Sequence, residues 1–169
     1  MKRERGFTLI ELMITLVIAA IVLTIGIPSF SDLIKNNRLV SYANEFVAGA
    51  HLARSEAIKR RRYGYICASS NQSSCTGGTN WAVGWIAWID NNGDAVPQTA
   101  ELLRAQQALE GTVTYTSNGA SQFRFDPTGI SLISGIFRMC DDRTNELGRT
   151  IGVSNSGRVG ISPTPANCS

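Results

Sequence analysis

Gly6-Phe7-Thr8-Leu9-Ile10-Glu11-Leu12, running on without a charge to Ile27, is the stretch whose reading decides the fold of this chain. Phe7 to Ile27 is 21 residues. As a helix this spans about 31 Å at about 1.5 Å per residue, and a hydrocarbon core is about 30 Å thick. Lys2, Arg3 and Arg5 precede it, so the positive-inside bias puts the N-terminus in the cytoplasm and everything after Ile27 outside the inner membrane. A secretory signal would have a shorter apolar region ending in a small-residue cleavage site. Here Gly6 comes before the apolar run, so cleavage near it leaves the helix attached. Pro28 follows directly, lacks an N–H and clashes with the preceding turn, so a kink is expected there.

Glu11 sits near the start of this membrane-grade helix. A carboxylate at mid-membrane costs roughly 2.5–3.5 kcal/mol on insertion scales, less near an end. Such residues usually have a partner. A cut after Gly6 would create an α-amino group at Phe7, one helical turn from Glu11. Within one chain the two can pair; between chains the pair would set the axial register of packed helices. The plainer reading is a carboxylate that snorkels to the interface and does nothing more.

Beyond the anchor, Leu39, Tyr42, Ala43, Phe46, Ala50, Ala53 and Ala57 recur at i, i+3, i+4, i+7, i+11, i+14 and i+18. That is one face of a helix from Ser29 to about Arg60, and its small residues admit close approach of another layer. Asn36, Asn37, Glu45, Arg54 and Glu56 fall mostly off the stripe. Helical character is expected to end at Arg62-Tyr63-Gly64. The signals then predict strands at 65–67, 81–90, 102–105, 112–116, 122–125, 135–140 and 150–154, a polar loop over 68–80 and a turn at Asn91-Asn92-Gly93-Asp94. The fold class is α+β: a long N-terminal helix, membrane half plus amphipathic half, packed on an antiparallel β-rich C-terminal head.

A chain of 169 residues suits one modest domain plus an anchor. The net charge of +3 is small, implies no strong nucleic-acid footprint by itself, and sits partly in the basic leader. Cys67, Cys75, Cys140 and Cys168 in an exported domain point to disulfides. Four cysteines allow three pairings. Local closure favours Cys67 with Cys75 and Cys140 with Cys168, and the sequence leaves the other pairings open. Zinc would want Cys-x-x-Cys spacing and histidines, and His51 is the only histidine. Asp90, Asn92, Asp94 and Glu101 fall at positions 1, 3, 5 and 12 of a calcium-loop template, but position 6 is Ala95 where the template needs glycine. Asn92-Gly93 explains the same segment as a plain hairpin turn. No metal and no cofactor is expected. His51 lies one position from the apolar stripe and no serine shows a nucleophile-elbow pattern, so no enzyme is expected either.

Gly6-Phe7-Thr8-Leu9-Ile10-Glu11 resembles the class III signal of type IV pilins and of the pseudopilins of type II secretion. The resemblance implies a cut after Gly6 by prepilin peptidase, N-methylation of Phe7, and a required role for Glu11 in filament assembly. Further along, Leu52-Ala53-Arg54-Ser55-Glu56-Ala57-Ile58-Lys59-Arg60 resembles the helix end of the GspH/FimT family of minor pilins. Gly84-Trp85-Ile86-Ala87-Trp88-Ile89-Asp90-Asn91-Asn92-Gly93-Asp94 is similar to that family's central hairpin. Phe125-Asp126-Pro127-Thr128-Gly129 and the stretch from Gly148-Arg149-Thr150-Ile151 to Gly157-Arg158 are similar to its later strands. FimU-type minor pilins fit best.

The resemblance implies the type IV pilin fold, divided as 1–6 cleaved leader, 7–27 transmembrane and assembly helix, 28–62 amphipathic half of the helix, and 63–169 head. It implies a protein held in the inner membrane with its head in the periplasm, then carried into the pilus. Its partners would be prepilin peptidase and, through the N-terminal helix, other minor pilins and the major pilin. Its role would be to prime pilus assembly and to sit near the tip. A type II secretion pseudopilin shares the anchor and helix. A third reading is DNA capture. Lys59-Arg60-Arg61-Arg62 is the one basic cluster, and phosphate contacts need clustered cations. Some FimT-type competence pilins bind DNA through a Gly-Arg-x-Arg motif. Gly157-Arg158-Val159-Gly160 lacks its second arginine, which argues against nucleic acid as a partner. Arg60, Arg61, Arg62, Arg149 and Arg158 are the residues that would carry it. The plain alternative is a solvated helix C-terminus whose charges favour the helix dipole.

Overall fold

The computed structural model describes residues 8–143, 148–162, 164 and 166–168. One helix, α1, spans Leu9–Arg60 and passes through Pro28 without a break in its assignment. The chain divides after Asn37 into two compact units. The described part of the first is α1 from Leu9 onward, preceded by Thr8. Its large apolar side chains, among them Leu9, Leu16, Leu23, Phe30 and Ile34, are exposed. Thr15 and Thr24 donate their hydroxyls to the carbonyls of Leu12 and Ile21, both at 2.8 Å. That return bond satisfies a polar group inside an apolar helix.

The second unit, from Arg38, builds a head on the rest of α1. Among the described residues eight strands follow: β1 Tyr63–Ala68, β2 Trp85–Asp90, β3 Leu102–Gln106, β4 Thr114–Ser117, β5 Gln122–Phe125, β6 Gly135–Cys140, β7 Arg149–Val153 and β8 Val159–Ile161. They form two four-stranded sheets, ordered β3-β2-β1-β5 and β4-β6-β7-β8. Every neighbouring pair is antiparallel. The fold is therefore a helix packed on a four-plus-four antiparallel head, as the residue pattern predicts.

The helical stripe is the seam. Leu39, Ala43, Phe46, Ala50, Ala53 and Ala57 are buried and Tyr42 half-buried. Phe46 lies edge-on to Trp81 and Tyr115, both with centroids 5.6 Å away, and 4.6 Å from Phe137. The alanines serve close approach. A Cβ on Gly64 of β1 would strike the Ala53 carbonyl, so helix and strand meet backbone to backbone. Strands β5 and β6 alternate buried and less buried positions, as one-sided strands should. By contrast, β2 is buried along its whole length. Its second face joins a smaller cluster of Tyr65, Cys67, Ile86 and Trp88, with Cys75 and Leu102 packed against it.

Three expectations need correction. The helix ends at Arg60, and Tyr63 and Gly64 belong to β1, as does Ala68. Arg61 adopts φ +55°, Arg61 N–H bonds the Ile58 carbonyl and Arg62 N–H the Ala57 carbonyl. This is a Schellman-type stop with arginine where glycine is usual, so no glycine marks it in the sequence. Trp81 is not in a strand: β2 begins at Trp85, after Gly84 at φ +106°. Trp81 instead plugs the core, donating Nε1–H to the Ala120 carbonyl at 3.1 Å. Finally, β8 and a 3-10 turn at Thr99–Glu101 were not expected.

Candidate functional site

The N-terminal signal meets the described structure at Thr8. Its hydroxyl accepts the Glu11 backbone N–H at 3.3 Å, just before α1 begins. Thr8-Leu9-Ile10-Glu11 has the spacing of a helix capping box, in which a Ser or Thr precedes a Glu by three. That spacing is a sequence signal for a helix start at this position. Glu11 is thus exposed in the first turn of α1, where a carboxylate also favours the helix dipole. Gly6 and Phe7, the expected cleavage and methylation positions, lie outside the described residues, and so does any Phe7–Glu11 pair.

The calcium-template residues make a turn. Asp90 accepts N–H bonds from Gly93 at 2.6 Å and Ala95 at 3.2 Å. Glu101 Oε1 accepts the Asn91 N–H at 2.8 Å. Asp94 accepts the Val96 N–H at 2.8 Å, and that bond leads the lowering of its pKa. Ala95 adopts φ +57°, the left-handed conformation that glycine would have supplied. Among the described residues no group of three His, Cys, Asp or Glu side chains is arranged to hold a metal.

Cys67 is joined to Cys75 and Cys140 to Cys168. The first bridge closes the polar loop after β1. The second ties the C-terminal tail to β6.

The basic residues separate by their partners. Glu56 takes Arg60 at 2.6 Å and Lys59 at 3.3 Å. The Arg60 hydrogen bond leads the lowering of the Glu56 pKa. Arg104 pairs with Glu45. Arg61 and Arg62 join a residue that sequence reading passed over. Arg124 of β5 is Tyr65's cross-strand neighbour, and its guanidinium lies 5.1 Å from the centre of the Tyr63 ring. These three arginines line one cavity of about 280 Å³ with Tyr63, Tyr65 and Asp90. Arg158 lines a different cavity, on the second sheet with Ile136 and Gly160, that shares no residue with the first. Arg149 lies in β7 and lines neither. The five arginines singled out from the sequence are therefore not brought together as one surface. Gly157, the first residue of the partial Gly-Arg-x-Arg match, has a packing role: a Cβ there would strike the Gly129 carbonyl.

A family profile described as "Type II transport protein GspH" matches residues 42–157, more than half the chain. This chain belongs to the GspH family. A second profile, "Prokaryotic N-terminal methylation motif", matches residues 1–27. Two crystal structures of the type IV minor pilin FimU of Pseudomonas aeruginosa (strain PAO1) resemble this GspH-family chain. The form in space group P21 is 25% identical with a TM-score of 0.61, covering 80% of this chain and 98% of that one. The form in space group P65 is 25% identical with a TM-score of 0.55, covering 76% and 98%. No curated protein matches. The GspH-family head and its N-terminal helix thus have the type IV pilin fold, in a family of pilin-like minor pilins that are structural proteins rather than enzymes. The methylation motif implies processing by prepilin peptidase and assembly with other pilins. The apolar helix that carries it is long and apolar enough to cross a membrane.

Proposed function

We propose that this chain is a minor type IV pilin that helps prime pilus assembly and enters the filament at or near its tip. The observation that carries the reading is the joint presence of the methylation motif over residues 1–27 and likeness to a type IV minor pilin over 98% of that protein's resolved chain. In this reading residues 1–6 are a leader cut after Gly6, Phe7 is N-methylated, 7–27 is the assembly helix, 28–62 its amphipathic continuation and 63–169 the head. Lys2, Arg3 and Arg5 hold the N-terminus in the cytoplasm, so the head faces the periplasm. The helix sits first in lipid and then in a bundle of like helices. Glu11 meets the Phe7 amine of a neighbour and sets the register, an interaction strengthened where water is excluded.

Glu11→Ala tests this. The variant is expected in the inner membrane at normal level and absent from sheared pili. Normal incorporation into pili sinks the register role. Gly6→Ala is expected to leave the leader attached, read by intact mass, and a processed, methylated product overturns the cleavage site.

A second reading is a minor pseudopilin of type II secretion, favoured by the description of the matching family as a type II transport protein. Copurification decides between them: pilus proteins support the first reading and pseudopilins the second.

A further inference from the structure

We propose that the cavity where Arg61, Arg62 and Arg124 converge is a docking site for an acidic peptide segment of a partner protein. It lies on the head and is independent of the assembly role of the N-terminal helix.

The three guanidiniums arrive from separate places: two from the stop after α1, one from β5. Arg61 and Arg62 are exposed and Arg124 half-buried. Lys59 and Arg60, their chain neighbours, are already engaged by Glu56, whereas no carboxylate among the described residues forms an ion pair with these three. The acid in the cavity wall is Asp90, which is buried and spends both oxygens on the N–H groups of Gly93 and Ala95. Three cations therefore face one carboxylate that is occupied elsewhere. Arg61 also holds a left-handed backbone at φ +55°, where glycine would relieve the strain. Retained strain of this kind concentrates at functional positions.

The ligand class follows from the walls. Guanidinium forks bind carboxylates and phosphates bidentately. A nucleic-acid strand would also want a series of open aromatic faces for its bases. Here one face of Tyr63 is covered by Arg124, and Tyr65 is buried and stacked on Trp88 with centroids 4.2 Å apart. The volume, about 280 Å³, admits one or two side chains or a chain end. An acidic segment reaching in fits these limits better than a nucleic-acid strand.

The test uses the full chain in detergent with fluorescein-labelled hexaglutamate as probe, read by anisotropy across a salt series. Arg61→Gln/Arg62→Gln, both exposed, removes two charges at the cavity. Arg138→Gln/Arg158→Gln removes two on the second sheet. The cavity variant is expected to weaken probe binding by about tenfold or more, while the control stays within about twofold of the parent. Adding Arg124→Gln should weaken it further. The proposal is overturned if the parent does not bind at low salt or if both variants weaken binding equally. It is also overturned if labelled hexathymidylate binds the cavity more tightly than hexaglutamate, which would assign the site to nucleic acid.

Discussion

Arg54 donates from Nε to the Gly129 carbonyl at 2.7 Å. Its Nη2 reaches the Ser156 carbonyl at 3.4 Å. One side chain on α1 thus holds two turns, the one that leaves β5 of the first sheet and the one between β7 and β8 of the second. The first of these turns is itself organised by Asp126, whose Oδ1 accepts N–H bonds from Thr128 and Ile130, both at 2.9 Å. Arg54 lies off the apolar stripe and shows how an off-stripe residue can still tie the helix to both sheets.

Replacing Arg54 by methionine keeps the stem and removes the donors. A hydrogen bond from a charged group contributes about 1.5–3 kcal/mol, so Arg54→Met should lose about that much stability. All three tryptophans are buried, which makes urea unfolding of the full chain in detergent readable by fluorescence. A loss below about 0.5 kcal/mol would show that the two turns hold without the helix.

Gly157 and Gly160 make a second, contrasting test. Gly157 has φ +74°, and a Cβ on it would strike the Gly129 carbonyl that Arg54 holds. Gly160 in β8 has nothing within 4 Å of a built Cβ. Gly157→Ala should destabilise by about 2 kcal/mol or more, from left-handed strain and the displaced carbonyl together. Gly160→Ala should fall within about 0.5 kcal/mol of the parent. Equal effects at the two positions would remove the packing account of Gly157.

Legibility followed periodicity. The stripe from Leu39 to Ala57 was readable because six small or apolar residues recur at helical spacing and all six are buried. Gln122–Phe125 and Gly135–Cys140 were readable because one-sided strands alternate. Trp81 misled because an apolar run with an aromatic looks the same whether it continues a strand or turns into a core. Val159–Ile161 has three residues, one of them glycine, too short for a period. The cavity could not be read at all. Arg124 is distant in sequence from Arg61 and Arg62, and only the pairing of β1 with β5 brings them together.

The bridge between Cys140 and Cys168 spans 28 positions. In the chain-entropy account a loop of that size is worth about 3.5 kcal/mol, and the shorter Cys67–Cys75 loop about 2.5 kcal/mol. Gly148 packs against both Cys140 and Cys168, since a Cβ on it would meet their sulfurs. Cys140→Ser/Cys168→Ser should therefore lower stability by about 2–4 kcal/mol. Hydrogen exchange should rise first at the Gly148 amide, which bonds the Ala166 carbonyl at 2.9 Å. Unchanged protection there would show that the tail stays docked without its covalent tie.

Asp141 and Arg143, directly after that cysteine, give the fold an acid-sensitive point. Arg143 donates from Nη2 to Asp141 Oδ2 at 2.7 Å and from Nε to both oxygens at 3.1 Å. The two side chains are 10% and 6% exposed, so salt screens them weakly. The Arg143 hydrogen bond, opposed by burial and by Asp142, holds the Asp141 carboxyl below its ordinary value of 3.8. A folded-state pKa below the unfolded one means that the unfolded chain takes up the proton first. The stabilisation is therefore complete above the ordinary value and is lost as pH falls through the folded one. Asp141→Asn should melt below the parent at pH 7 by a gap that stays constant down to about pH 5 and then closes in stronger acid. Melting curves of the two proteins from pH 7 to acid check this directly. Parallel curves throughout would mean that the carboxylate charge contributes nothing and that only the hydrogen-bond geometry, which asparagine partly preserves, supports the turn.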